Sequence, residues 1–175
     1  MKIYKILLMD LDSTLVQTKT GAKFAKGPWD WKLTPGVIEA IENYGAFEVN
    51  IVSNQSRLTT EKSRNQWEQK VNRILGKLTQ ELADRGNMEY IPGMHYDYCC
   101  ASEFSNDPRR KPNPGMLLDV MRRYENFNQN IEFLMVGDAS GKPGDFSDSD
   151  KKAAENAGIP YMDINDFINT YNYGT

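Results

Sequence analysis

Hydrophobic positions along this chain follow two alternating rhythms. Short, predominantly apolar runs occupy 3–9, 47–52, 96–101, 131–136 and 159–164. Runs of this length, rich in Ile, Leu, Val and aromatic residues, predict strands buried on both faces. Between them, apolar residues recur every three or four positions. The longest such segment, 60–85, carries Trp67, Val71, Ile74, Leu75, Leu78 and Leu82 on one stripe and is followed by Gly86. It predicts a helix packed by that stripe and stopped at the glycine. Thr34-Pro35-Gly36-Val37 predicts another helix start, with Thr34 as N-cap and Pro35 in the first helical position. Asn113-Pro114-Gly115 predicts a third, with Asn113 capping a face made of Met116, Leu117, Val120, Met121 and Tyr124. Segments 150–157, ending at Gly158, and 166–171 complete the set. Strands separated by helices predict βα units, hence an α/β fold with a parallel sheet covered on both faces. No internal repeat, low-complexity tract or linker interrupts the pattern, so the expectation is one domain over 1–175.

Composition narrows the function. The chain has 175 residues, 39% of them apolar, and a chain of this size buries roughly 68–70% of its unfolded surface. Disorder and disulfide staples are therefore not expected. The 21 basic and 24 acidic residues give a net charge of −3, which excludes a global basic field but not a local patch. No apolar run approaches the ~20 residues of a membrane span. The N-terminal run ends at once in Asp10, so it reads as a strand rather than a signal peptide. Cys99 and Cys100 are adjacent and read as reduced thiols in a cytoplasmic protein. His95, four residues before Cys99, raises zinc. Three candidate ligands with no spacer between the cysteines fall short of a four-ligand structural site.

The chemistry gathers where strands end: Asp10-Leu11-Asp12-Ser13-Thr14, Ser53-Asn54-Gln55, Arg109-Arg110-Lys111-Pro112 and Gly137-Asp138. In an open parallel sheet that is where ligands bind. Asp10 and Asp12, two apart on an extended backbone, are expected to point to one side and to require a cation. With Asp138 they make a hard, oxygen-rich site suited to Mg²⁺.

Asp10-Leu11-Asp12-Ser13-Thr14 resembles the DxDxT signature of haloacid dehalogenase (HAD) superfamily phosphatases. Ser53, Lys111 and Gly137-Asp138 match its later motifs in order, over nearly the whole chain. One departure is Ser13, where that family usually has Gly. The resemblance implies a three-layer Rossmann-like HAD fold with a central, mostly parallel sheet. It implies that Asp10 is the nucleophile that forms an aspartyl-phosphate. Asp12 would be the acid that protonates the leaving oxygen and then the base that activates water. Ser53 would hydrogen-bond a phosphate oxygen, and Lys111 would stabilise charge. Mg²⁺ would be held by Asp10, the Asp12 carbonyl, Asp138 and a second acid of the last motif, aligned on Asp150 with Asp145 and Asp148 as rivals. Room for a large cap domain is lacking, since 14–34 admits only a loop and 55–96 essentially one helix.

The segment Thr20-Gly21-Ala22-Lys23-Phe24-Ala25-Lys26-Gly27-Pro28-Trp29-Asp30-Trp31 further resembles the one that follows the first motif in polynucleotide 3′-phosphatases, the phosphatase domains of polynucleotide kinase-phosphatases. So does the long loop from Gly137 to Asp150. This implies nucleic-acid 3′-phosphate ends as weakly bound partners, a role in DNA repair, and a separate polynucleotide kinase or ligase as a further partner. Gly137 to Lys142 lacks the spacing and the Ser or Thr of a Walker P-loop. Substrate contacts are expected from Thr14, Asn54, Arg57, Lys23, Lys26 and Arg110. Lys19, Lys32, Arg109 and Lys142 add local positive charge, while Trp29 and Trp31 are expected to be largely buried. The alternative is a small-metabolite phosphatase resembling the histidinol- and heptose-bisphosphate branch, which shares the string Arg110 to Gly115. A third reading is a non-catalytic module that binds phosphorylated ends.

Overall fold

The N-terminal strand, β1 (Ile3–Met9), lies at the centre of the sheet. The computed structural model describes residues 2–174. β1 has parallel neighbours on both sides, β4 (Ala46–Asn54) and β6 (Asn130–Gly137). β5 (Gly93–Cys99) extends the sheet beyond β4 and β7 (Tyr161–Asp163) beyond β6, so the order is β5-β4-β1-β6-β7. Burial on both faces explains why the carboxyl halves of β1 and β6 are so apolar. Leu7 and Met9 join Val49, Ile51 and Val136 in one core, while Ile6 and Leu8 join Val52 and Met135 in the other.

The first core is covered by α1 (Val37–Tyr44), α2 (Glu61–Arg85) and α5 (Ile164–Tyr173). The second is covered by α3 (Gly115–Arg122) and α4 (Ser149–Ala157). α2 follows its sequence signals closely: Thr60 accepts from the Ser63 N–H in a reciprocal cap, and Gly86 ends the helix in the left-handed region. Because β4 and β6 flank β1 on opposite sides, the chain reverses its winding there. The carboxyl end of β1 is thus the switch point at which such sheets hold ligands. No helix among the described residues is long and apolar enough to cross a membrane.

Three expectations need correction. Thr34 is not an N-cap. Its hydroxyl donates to the Thr14 carbonyl at 2.6 Å, and α1 starts after Gly36, which stands at φ 82°. Asn113 does not cap α3 either, since its amide donates to the Asp107 carbonyl at 2.8 Å. The segment 14–34 is more than a loop: β2 (Val16–Gln17) and β3 (Lys32–Leu33) pair as a short antiparallel ribbon.

Ser13 occupies the left-handed region at φ 60°, in the turn that closes when the Val16 N–H reaches the Leu11 carbonyl. A β-carbon there costs about 1–2 kcal/mol, partly offset by the entropy that glycine adds to the unfolded chain. Ser13→Gly is therefore expected to stabilise the protein by about 0.5–1 kcal/mol. Urea melts of the two proteins side by side check this, and a less stable glycine variant would contradict it.

Candidate active site

The two carboxylates at the turn after β1 differ in exposure: the Asp10 side chain is 15% exposed and that of Asp12 54%. Lys111, only 3% exposed, donates to Asp10 Oδ1 at 2.9 Å and to Asp150 Oδ1 at 2.6 Å. Asp150 also accepts from the Ala139 N–H at 3.1 Å through its other oxygen. It packs so closely on Gly137 that a β-carbon there would lie 2.2 Å from Asp150 Oδ2. A side chain at 137 is incompatible with this carboxylate's position, which accounts for the glycine before Asp138. Asp138 accepts from the Thr14 hydroxyl at 3.3 Å.

Asp10, Asp138 and Asp150 each offer an oxygen within 4.8 Å of the others. Of the three acids that the sequence left open, Asp150 is the one in this cluster. Asp145 instead accepts from the Ser140 and Lys142 N–H groups, and Asp148 pairs with Lys152 at 2.7 Å. The electrostatics of the cluster are unfavourable as they stand. Burial, with the charges of Asp150 and Asp138 added, raises the Asp10 carboxyl to about 7 despite Lys111 beside it. Burial and Asp150 raise Asp138 to about 6. Burial would lower Lys111, but Asp10 and Asp150 outweigh it and hold the ammonium above its ordinary range. Three carboxylates against one lysine leave two formal negative charges on hard oxygens, a donor set that fits one Mg²⁺.

The surrounding residues differ in part from the expected substrate contacts. Asn54 donates to the Lys111 carbonyl at 2.8 Å and accepts from the Lys111 N–H at 3.0 Å, so it anchors the lysine's backbone. Thr14 is fully buried against Asp138 and Thr34. Arg110 donates to the Ala101 carbonyl at 2.9 Å. Asn54 and Thr14 thus hold the site in place, while Arg110 is partly exposed and uses one of its five donors on that carbonyl. Ser53 is buried at the end of β4, its hydroxyl accepting from the Gln55 amide at 3.0 Å. Lys142 pairs with Asp166 at 2.9 Å and lies 3.7 Å from Asp163.

The rim is different in character. A cleft of about 350 Å³ reaches Asp138 between Ser13, Lys23, Thr34, Asp145 and Phe146. Phe146 is 81% exposed and Phe24 55%. The Lys23 ammonium lies 5.1 Å from the Phe146 ring and 5.7 Å from the Phe24 ring, and the Arg57 guanidinium lies 4.7 Å from Phe24. Lys26 is exposed on the same loop. Trp29, expected inside, is 59% exposed, while Trp31 packs against the core. Asp30, buried below this loop, accepts from the Thr20 N–H and hydroxyl and from the Lys26 N–H, all within 2.9 Å. Burial alone would raise its carboxyl, but these donors hold it below the usual carboxylate range. His95 and Cys99 lie on β5, where His95 is 3.4 Å from Glu48.

Sequence reasoning singled out neither the exposed rim aromatics, Phe24 and Phe146, nor the two residues beside Asp12, Gln55 and Lys70. Lys70 of α2 is 8% exposed, and its ammonium lies 3.7 Å from Asp12 Oδ1. The signal was present, because position 70 falls on the apolar stripe three residues from Trp67 and four from Ile74.

A family model for polynucleotide kinase 3 phosphatase matches residues 5–167. The chain is 29% identical over 171 residues to an uncharacterised 20.8 kDa protein from the FGF-VUBI intergenic region of Autographa californica nuclear polyhedrosis virus, covering 94% of this chain and 85% of the viral one. It is 31% identical over 172 residues to the bifunctional polynucleotide phosphatase/kinase of Schizosaccharomyces pombe, covering 91% of this chain but only 36% of the yeast protein. Among solved structures, the D,D-heptose 1,7-bisphosphate phosphatase of B. bronchiseptica, complexed with magnesium and phosphate, superposes with a TM-score of 0.60 at 25% identity, over 90% of this chain and 78% of that one. A HAD-like phosphatase candidate from Mesorhizobium loti superposes with a TM-score of 0.57 at 22% identity, over 89% of this chain and 69% of that one, and speaks to the fold alone.

Proposed function

We propose, from the premise that the chain belongs to the polynucleotide kinase 3 phosphatase family of HAD-type phosphatases, that it removes the 3′-phosphate from polynucleotide ends, acting as one domain over 1–175. The observation that carries the substrate class is the rim, where exposed Phe24 and Phe146 lie under the cations of Lys23 and Arg57. Aromatic faces beside cations suit a base and its phosphate backbone.

The mechanism follows from the buried groups. Asp10 Oδ attacks phosphorus as the bond from phosphorus to the ribose 3′-oxygen breaks, and Asp12 gives its proton to that oxygen. The product is a 3′-hydroxyl and an aspartyl-phosphate on Asp10. Water then attacks phosphorus, its proton returns to Asp12, and the bond to Asp10 breaks to release phosphate. Lys111 favours the ionised form of Asp10 and orients it, and Ser53 offers its hydroxyl to a phosphate oxygen. Asp10, Asp138, Asp150 and the Asp12 carbonyl would hold a Mg²⁺, which would supply charge neutralisation for the phosphoryl group. A 3′-hydroxyl is what a ligase or polymerase requires, which suits a role in DNA repair. The unpaired thiols of Cys99 and Cys100 suit a cytoplasmic setting.

The likeness to a heptose-bisphosphate phosphatase favours the second reading, a small-metabolite phosphatase. One comparison separates the two, run with Mg²⁺ and with an EDTA control. Catalytic efficiency is expected to be higher for a 3′-phosphorylated oligonucleotide than for the 3′-mononucleotide or a 5′-phosphorylated strand. The preference should weaken with salt on a log–log slope of about −1.5 to −3, as for two to four backbone contacts. Neutralising Lys23 and Lys26 together should lower oligonucleotide turnover while sparing a small aryl phosphate. Equal efficiency on small esters and oligonucleotides, or equal loss on both in the double variant, would select the metabolite reading.

A further inference from the structure

Asp12 is held from two directions. Its side chain is 54% exposed, and an exposed carboxylate on a turn ordinarily samples several rotamers. Here Gln55 Nε2 donates to Oδ2 at 2.9 Å, and Lys70 Nζ faces Oδ1 at 3.7 Å. Gln55 is itself fixed, because the same amide donates to Ser53 at 3.0 Å. Lys70 is fixed by packing. It sits within the buried stripe of α2, between Trp67, Val71 and Ile74, with only 9% of its side chain exposed. Burying a lysine against a half-exposed partner does little for stability, since replacing such a charge by an apolar side chain of similar shape is often neutral or stabilising. An ammonium kept at that position at such a cost points to a role outside the core.

We infer that Lys70 and Gln55 are positioning residues that hold the Asp12 carboxyl where it delivers its proton to the leaving-group oxygen. This inference rests on the proposed role of Asp12 but not on the identity of the substrate. When the phosphorus–oxygen bond breaks, the departing oxygen needs that proton in proportion to its basicity. An alkyl ester depends on the acid heavily and a nitrophenyl ester weakly. A misplaced Asp12 therefore leaves a particular signature, a loss that grows with leaving-group pKa.

The test compares Lys70→Met, Lys70→Arg, Gln55→Leu and Asp12→Asn with the parent enzyme on a series of simple monoesters, from 4-nitrophenyl through phenyl to alkyl phosphate, with Mg²⁺ present. Lys70→Met should keep its thermal stability. Its loss in kcat/KM on the alkyl ester should exceed that on the 4-nitrophenyl ester by at least about tenfold, part of the 10²–10⁴-fold that a fully effective general acid contributes. Gln55→Leu should show the same trend with a smaller slope, and Lys70→Arg should recover part of it. A loss of equal size across the series would mean that Lys70 binds the phosphoryl group or supports the fold, and would overturn the inference. If Asp12→Asn is steep and Lys70→Met flat, only the inference fails. If Asp12→Asn is itself flat, the acid role of Asp12 fails and the inference with it.

Discussion

Asp10→Asn is expected to reduce phosphate release to the uncatalysed background while leaving the fold intact. The amide matches the carboxylate in shape, so the Leu7 and Met9 core beneath it is undisturbed. It cannot form an acyl-phosphate, because it presents no anionic oxygen to phosphorus. The change should also ease the electrostatics, since one of three crowded carboxylates loses its charge and Asp150 keeps Lys111. The variant should therefore melt no lower than the parent in metal-free buffer and gain less from added Mg²⁺. Phosphate release from an oligonucleotide, with mass spectrometry to exclude deamidation back to the acid, gives the answer. Substantial turnover by Asp10→Asn protein shown free of deamidation would remove Asp10 from the nucleophile's role.

Lys111→Met should be the most damaging single change for stability, with a loss of activity beside it. The ammonium is the hydrogen-bond donor shared by Asp10 and Asp150, and removing it strands buried carboxylates at a cost of about 3–5 kcal/mol. The dependence on pH has a definite sign. Loss of Lys111 raises the folded-state pKa of Asp10, which stands at about 7 even with the lysine present, further above its unperturbed 3.8. Above about pH 7 the folded variant therefore keeps a proton that the parent and the unfolded chain release, so its stability falls against the parent's as pH rises. The deficit against the parent should be small near pH 4 and largest at pH 8. Urea melts at both values measure it, and a deficit independent of pH would mean that the loss is one of packing.

How much of this was legible in the sequence depends on how far each signal reached along the chain. α2 was readable because its cap, its stripe and its terminal glycine all lie within 60–86. The sheet strands were readable because each is predominantly apolar, most fully in central β1, whose last four residues are buried. Thr34 and Asn113 looked like caps by their neighbours, but their side chains answer to Thr14 and Asp107 instead. The first of these partners is twenty residues away and is set by folding. β2 and β3, at two residues each, are too short to carry a period. Asp150 could not be told from Asp145 and Asp148 by spacing, because the choice rests on which of them packs against Gly137. Lys70 was hidden for a different reason. A lysine on a helix is read as solvated, and only its position on an apolar stripe betrays it.

The loop that carries Lys23, Phe24 and Lys26 hangs from a single carboxylate, Asp30, whose oxygens gather Thr20 and Lys26. The groups proposed to react stand elsewhere: at the ends of β1, β4 and β6, with Lys111 before α3 and Asp150 in α4. Arg57 and Phe146, by contrast, share the segments that follow β4 and β6. On the proposed reading, exchanging the loop while retaining an aspartate at this hub would change the contacts that Lys23 and Phe24 offer a ligand and leave the catalytic floor unaltered.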